Sequence, residues 1–248
     1  MKITKVGFFC FITLSFFFSC KKENMCDCMK GTGDIITENR ELIPFNKIYM
    51  QDNINLYISI DSTYSVRVEA GTNLLSSIFT EVIDSCLYLR NENRCNWVRS
   101  FKNKINVYIS CTKLREIMRN KASGNVYTMD TIYSDLFEVN SYNGGGEVNL
   151  KLVSKQSLFK IHTGPDDIIV NGRSENTFVY SSGNGLIDLR NYSSNYAIVS
   201  TKSTNNCFIR TNKELEVFID YVGNVYYLGN PQKIKINTSG SGKLIKID

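Results

Sequence analysis

The sequence predicts an all-β fold: a parallel β-solenoid (β-helix-like) with about 20 residues per coil, preceded by twisted strands with one short helix. Three observations carry that prediction. Glycines recur at Gly124, Gly144, Gly164, Gly183, Gly223 and Gly242, at multiples of about twenty residues. Alternating apolar runs follow, centred on Val126, Val148, Ile168, Ile187, Cys207, Val225 and Leu244, and a second series precedes the turns at Val139, Ile161, Val179, Val199, Ile219 and Ile236. No 3.6-residue period runs through this stretch. Two short strands and two polar corners per repeat describe one coil, stacked on the last at about 4.8 Å.

A single coil cannot bury its own inward side chains, whereas about seven stacked coils form a continuous apolar column. Glycine is expected at the corners because tight turns need positive φ without a Cβ clash, and Asn125, Asn143, Asn184 and Asn224 tolerate the same region. An all-β sandwich is the competing fold, since turn signals every eight to about twelve residues also occur. A glycine turn repeated at every second corner favours the solenoid.

From Phe45 to Cys111 the chain alternates at period two: Ile54, Leu56, Ile58 and Ile60, then Val66 and Val68, Leu87 and Leu89, and Ile105, Val107 and Ile109. Leu74, Leu75, Ile78 and Val82 instead fit a short helical stripe.

The amino terminus reads as an address. Lys2 and Lys5 precede an apolar run from Val6 to Phe18 that ends at Ser19-Cys20, a length that suits a signal-peptide core and falls short of a membrane-spanning helix. A small residue before a cysteine at that point resembles the lipobox of bacterial lipoproteins, in which the cysteine is acylated and becomes the mature terminus. Phe17 and Phe18 depart from the usual lipobox residues, and a plain secretory signal is the alternative. The expected division is a signal peptide over 1–19, a lipidated tether over 20–30 and one domain over 31–248.

Processing removes two lysines, so the formal charge of +5 becomes +3. Cys26, Cys28, Cys86, Cys95, Cys111 and Cys207 then remain, and a bridge between Cys86 and Cys95 across a hairpin turning at Asn91 to Asn93 is one expectation among many connectivities. With one histidine and no paired Cys-x2-Cys knuckles, neither a metal site nor a cofactor is expected.

Catalytic patterns are sparse. His162, the only histidine, lies beside the turn Thr163-Gly164-Pro165-Asp166-Asp167 and reads as a corner residue rather than a triad member. Glu147 and Asp167 are twenty residues apart, so stacking would bring two carboxylates to the spacing used by retaining glycosidases, or to a calcium site. Two solvated carboxylates are the plainer reading. Between Arg90 and Lys121 stand nine basic residues and two acids. Arg94, Arg99, Lys102, Lys104, Lys113, Arg115 and Arg119 are therefore candidate contacts for anionic envelope polysaccharide or lipid head groups, against a solvated strand face. Phe208 and Tyr226, about one coil apart, with Tyr192 and Tyr196 near them, are candidate outward aromatics for sugars, for protein partners or for bracing the sheet.

Phe45-Asn46-Lys47-Ile48, Asn53-Ile54, Val66-Arg67-Val68-Glu69-Ala70, Leu74-Leu75, Leu87-Tyr88-Leu89 and Asn106-Val107-Tyr108-Ile109 followed by Leu114 resemble the opening of the head GIN domain family. Ser123-Gly124-Asn125-Val126, Gly223-Asn224-Val225-Tyr226-Tyr227-Leu228-Gly229-Asn230-Pro231 and Ser239-Gly240-Ser241-Gly242 are similar to its repeat and its end. Ser203 to Cys207 lacks the repeat's glycine. The family is described as auto-transporter adhesin heads and is common in bacteroidete lipoproteins. The resemblance implies a right-handed solenoid on an exported, envelope-associated protein, and no catalytic residue to carry over. The expected function is a non-catalytic binding or adhesion surface, tethered to the membrane by lipid on Cys20 and facing a glycan or an envelope protein rather than nucleic acid. A carbohydrate-active enzyme using Glu147 and Asp167, and a purely structural envelope component, are the alternatives. The expected location is the cell envelope, as an outer-membrane lipoprotein facing the periplasm or the exterior.

Overall fold

The computed structural model describes residues 31–94 and 104–248. Strands dominate them. The first nine are β1 (Ile35–Arg40), β2 (Lys47–Asp52), β3 (Ile54–Ile60), β4 (Ser65–Gly71), β5 (Ile78–Ile83), β6 (Cys86–Asn91), β7 (Ile105–Cys111), β8 (Glu116–Ala122) and β9 (Val126–Thr128). The rest are β10 (Ile132–Tyr142), β11 (Glu147–Thr163), β12 (Asp167–Ser181), β13 (Ile187–Thr201), β14 (Cys207–Ile219), β15 (Val225–Leu228), β16 (Lys233–Thr238) and β17 (Leu244–Lys246). From β10 onward neighbouring coils pair in parallel, and β11 meets β12 at a constant offset: Glu147 opposite Asp167, Ile161 opposite Ser181. The protein is a β-solenoid.

Each long coil is one bent strand rather than two short ones. Along β11 the buried positions are Val148, Leu150, Leu152 and Ser154, then Ser157, Phe159 and Ile161. The parity changes at the exposed pair Lys155-Gln156, where the strand turns a corner without leaving the ladder. The first apolar series of the sequence forms a single column: Val126, Val148, Ile168, Ile187, Cys207, Val225 and Leu244 are successive partners. The second series mixes two columns, because Val139 and Val179 both pair with Phe159, while Ile161 lies two residues further along. Column members from Val126 to Ile187 are fully buried, and each such side chain contributes about 1.5–3 kcal/mol.

The parallel stack also reaches into the first half, in an order that departs from the chain. β2 and β3 pair on one side with β6 and β7 and on the other with β8 and β9. The first coil in sequence is thus second in space. Antiparallel strands close the outer end: β4 covers β7, β1 covers β4, and β5 covers β6.

The short helix of the sequence reduces to one 3-10 turn, Leu75–Ser77. Ile78 and Val82 belong instead to β5. β-branched residues favour the strand, and Asp84 and Ser85, both at positive φ (50° and 61°), make the tight turn into β6.

The corner glycines also have a different cause from the expected one. Of the six, only Gly164 has positive φ. The others sit where coils approach too closely for a side chain: a Cβ on Gly124 would lie 1.9 Å from the Ile54 carbonyl oxygen, and one on Gly242 2.2 Å from that of Gly223.

Candidate functional site

The coils are not all alike. From β10 to β13 each has a third side: Ile132 to Ser134, Leu152 to Ser154, Gly172 to Ser174 and Tyr192 to Ser194 pair in register. The coil of β8 and β9 lacks it, since β10 meets β8 only from Glu138 onward. The start of β10 is therefore bonded on one side alone, and a step is left where two-sided and three-sided coils meet. An open groove of about 880 Å³ occupies that step, lined by Asn46, Lys113 to Arg115, Tyr133 to Leu136, Val153 to Lys155, Arg173 to Glu175 and Asn195.

Ser134, Ser154, Ser174 and Ser194 form one column at the inner corner, continued by Thr211. Small hydroxyls suit a tight bend because they bond to neighbours without filling space. Ser174 and Ser157 each share a hydrogen bond with Thr177 (2.7 and 3.1 Å), and Ser154 shares one with Tyr192 (2.9 Å). One residue further on, Asp135, Lys155, Glu175 and Asn195 stand on successive coils. Like charges stacked at the coil spacing would repel, and here they alternate. Lys155 donates to Asp135 at 2.7 Å and holds that carboxyl below its ordinary range, while its own ammonium is raised.

That leaves Arg115 and Arg173 exposed with no acidic partner among the described residues. Tyr133 stands beside them, 69% exposed and in register with Val153, which pairs in turn with Arg173. Its ring makes no aromatic contact among the described residues. Several other outward tyrosines are stacked: Tyr108 on Tyr57 (4.9 Å) and Tyr57 on Tyr127 (5.6 Å), with Arg67 over Tyr108, whereas Tyr196 and Tyr221 are exposed without an aromatic partner among the described residues. Phe208 and Tyr226 stack at 5.0 Å, with Arg190 over Phe208. Rings stacked along the solenoid present edges to solvent, so these ladders brace the sheet.

The basic stretch of the sequence is divided rather than gathered. Arg94, just after β6, and Lys104, just before β7, are exposed, Lys113 and Arg115 lie past the far end of β7 in the groove, and Arg99 and Lys102 lie outside the described residues. Arg119 is no surface contact. Its side chain is completely buried and bonds Asp166 through Nε and Nη2 at 2.8 and 2.7 Å. Asp166, also fully buried, accepts further bonds from Ser141 Oγ and the Gly146 amide. Glycine at 144 makes room for that carboxylate, since a Cβ there would lie 1.8 Å from Oδ2.

Glu147 and Asp167 are register partners on β11 and β12, but they lie away from the groove. Asp167 accepts the Leu186 amide at 2.7 Å. The same bond to the next coil is made by Asn125 to Glu147, Asn206 to Asn224 and Asn224 to Lys243. Asp167 is thus one rung of a corner clamp. Tyr192, expected outward, is buried edge-on to Phe159 because its strand turns inward at the third side. His162 stacks on Tyr142 at 4.2 Å, its imidazole below the ordinary histidine range through burial and the Lys160 charge.

Cys86 opens β6 immediately after the turn of its hairpin, so that hairpin turns at Asp84-Ser85 rather than at Asn91 to Asn93. Cys20 and Cys95 lie outside the described residues. Burial pushes the Cys111 thiol up to about 11 and that of Cys207 to about 12, the Asp188 charge adding to the latter. Native alkylation should therefore spare Cys111 and Cys207 while half-buried Cys86 reacts, all three being modified after denaturation; peptide mass spectrometry checks this. Labelling of native Cys207 would contradict the packing described.

A family model described as "Putative auto-transporter adhesin, head GIN domain" matches residues 44–231. Among solved structures, a "putative adhesin" from Bacteroides fragilis NCTC 9343 aligns at 20% identity with a TM-score of 0.80, over 86% of this chain and 97% of the other. A "putative adhesin" from Parabacteroides distasonis ATCC 8503 aligns at 15% identity and TM-score 0.70 (88% and 98%). A "putative lipid binding protein" from the same strain aligns at 16% and 0.67 (88% and 98%). No curated protein matches the chain.

Proposed function

Because the chain belongs to the head GIN domain family, we propose that it is an envelope lipoprotein that presents its solenoid as a rigid, non-catalytic surface for binding glycans. The apolar run ending at Ser19-Cys20 supports acylation of Cys20 and placement in the outer membrane. The observation that carries the binding role is the continuous parallel stacking of β10 to β14, interrupted only by local bulges. Side chains on such a stack are ordered before any partner arrives, so association need not order them again. The family and the solenoid neighbours named as adhesins are in keeping with binding rather than catalysis.

A glycan-array screen of the full-length protein in detergent, with each hit assayed for turnover, tests the role. Binding without a change in the glycan is the expected result. Turnover would transfer the reading to an enzyme, with Glu147 and Asp167 as its candidate pair, and silence throughout would leave a structural component.

A further inference from the structure

We propose that the groove at the step between two-sided and three-sided coils binds an acidic glycan, Tyr133 packing against a sugar ring and Arg115 and Arg173 pairing with its carboxylates. This rests on the binding role above and assigns it a place and a ligand class. Three features of the groove select that class.

First, its net charge is positive and of the right kind, since Lys113, Arg115, Lys155 and Arg173 outnumber Asp135 and Glu175. Lys155 is occupied by Asp135, whereas the two guanidinium groups have no acidic partner among the described residues. A planar guanidinium takes a carboxylate through two parallel hydrogen bonds, which an ammonium cannot do. Second, Tyr133 differs from the laddered tyrosines in keeping a ring face free, and the C–H face of a pyranose packs on such a ring. Third, the spacing fits a polymer. Tyr133, Val153 and Arg173 stand on three successive coils, at about 4.8 Å per coil, close to the rise of one sugar along an extended chain. A glycan lying along the solenoid axis would meet the aromatic ring and, two coils on, the guanidinium of Arg173. The groove is open to solvent.

The test uses full-length protein in detergent and four probes: an oligogalacturonate, its methyl ester, polyglutamate, and mixed micelles of the detergent with phosphatidylglycerol. The oligogalacturonate should bind saturably and more weakly as salt is raised. Esterification, Arg115→Ser and Arg173→Ser should each weaken it about tenfold, and Tyr133→Ala about fivefold. Lys243→Ala, which removes an exposed charge near the opposite end of the stack, should leave binding unchanged. All four side chains are exposed, and matching melting curves will show that each variant folds.

Oligogalacturonate binding that the groove variants do not alter would overturn the assignment of the groove. Equal or tighter binding of polyglutamate or of the phosphatidylglycerol micelles, lost in the same variants, would overturn the glycan class in favour of an acidic peptide or a membrane. If the protein binds only neutral glycans on the array, the acidic class fails while the binding role stands. If it binds no glycan at all, both fail.

Discussion

Replacing Asp166 with alanine should destabilise the solenoid by about 3–5 kcal/mol, the usual cost of stranding one partner of a buried ion pair. Arg119 and Asp166 are both fully buried, and the carboxylate accepts from the Arg119 guanidinium, Ser141 and the Gly146 amide. These contacts join β8, β10 and the corner before β11, so loss of the carboxylate leaves a buried charge and two other unsatisfied donors. Arg119→Met combined with Asp166→Leu removes both charges and should recover much of the loss. Urea unfolding of the two variants checks this. An alanine variant within about 1 kcal/mol of the parent would show that the pair is hydrated rather than buried.

Gly124→Ala should cost about 3 kcal/mol, at the upper end for overpacking. The added Cβ would lie 1.9 Å from the Ile54 carbonyl oxygen and 2.2 Å from its carbon. That obstacle is backbone in a paired strand, so only separation of the coil of β8 and β9 from that of β2 and β3 relieves it. Gly145→Ala is the matched control. Its Cβ would meet nothing nearer than Pro165 Cγ at 3.9 Å, and stability should stay within about 0.5 kcal/mol. Thermal melts of the two variants separate close approach from general glycine flexibility, because a flexibility cause would affect both alike.

The contrast between these glycines shows where the sequence is legible. The period was readable because each coil repeats one burial pattern, and the column from Val126 to Leu244 follows from it directly. The reason for glycine was not, because the atoms that exclude a Cβ at Gly124 belong to Ile54, seventy residues earlier. Stacking order was hidden for the same reason: nothing local in β2 and β3 says that β6 and β7 will return to cover them.

Arg119 carried a signal that the charge count obscured. It shares parity with Ile117 on β8, and alternation places it inside. The serines at 134, 154, 174 and 194 recur at the interval used for the glycines and mark the third side of the coil. The groove itself was out of reach. It arises from a difference between coils, and its lining from Asn46 to Asn195 is gathered from six separate segments.

The central claim is that a preformed groove on a rigid stack binds its ligand without chemistry or rearrangement. Hydrogen exchange of the full-length protein, with and without a saturating oligogalacturonate, tests it most directly. Added protection should be confined to 113–115, 133–136, 153–155 and 173–175, with the column amides unchanged and the glycan recovered intact. Protection elsewhere, a change in exchange throughout the stack, or a shortened glycan would contradict the account.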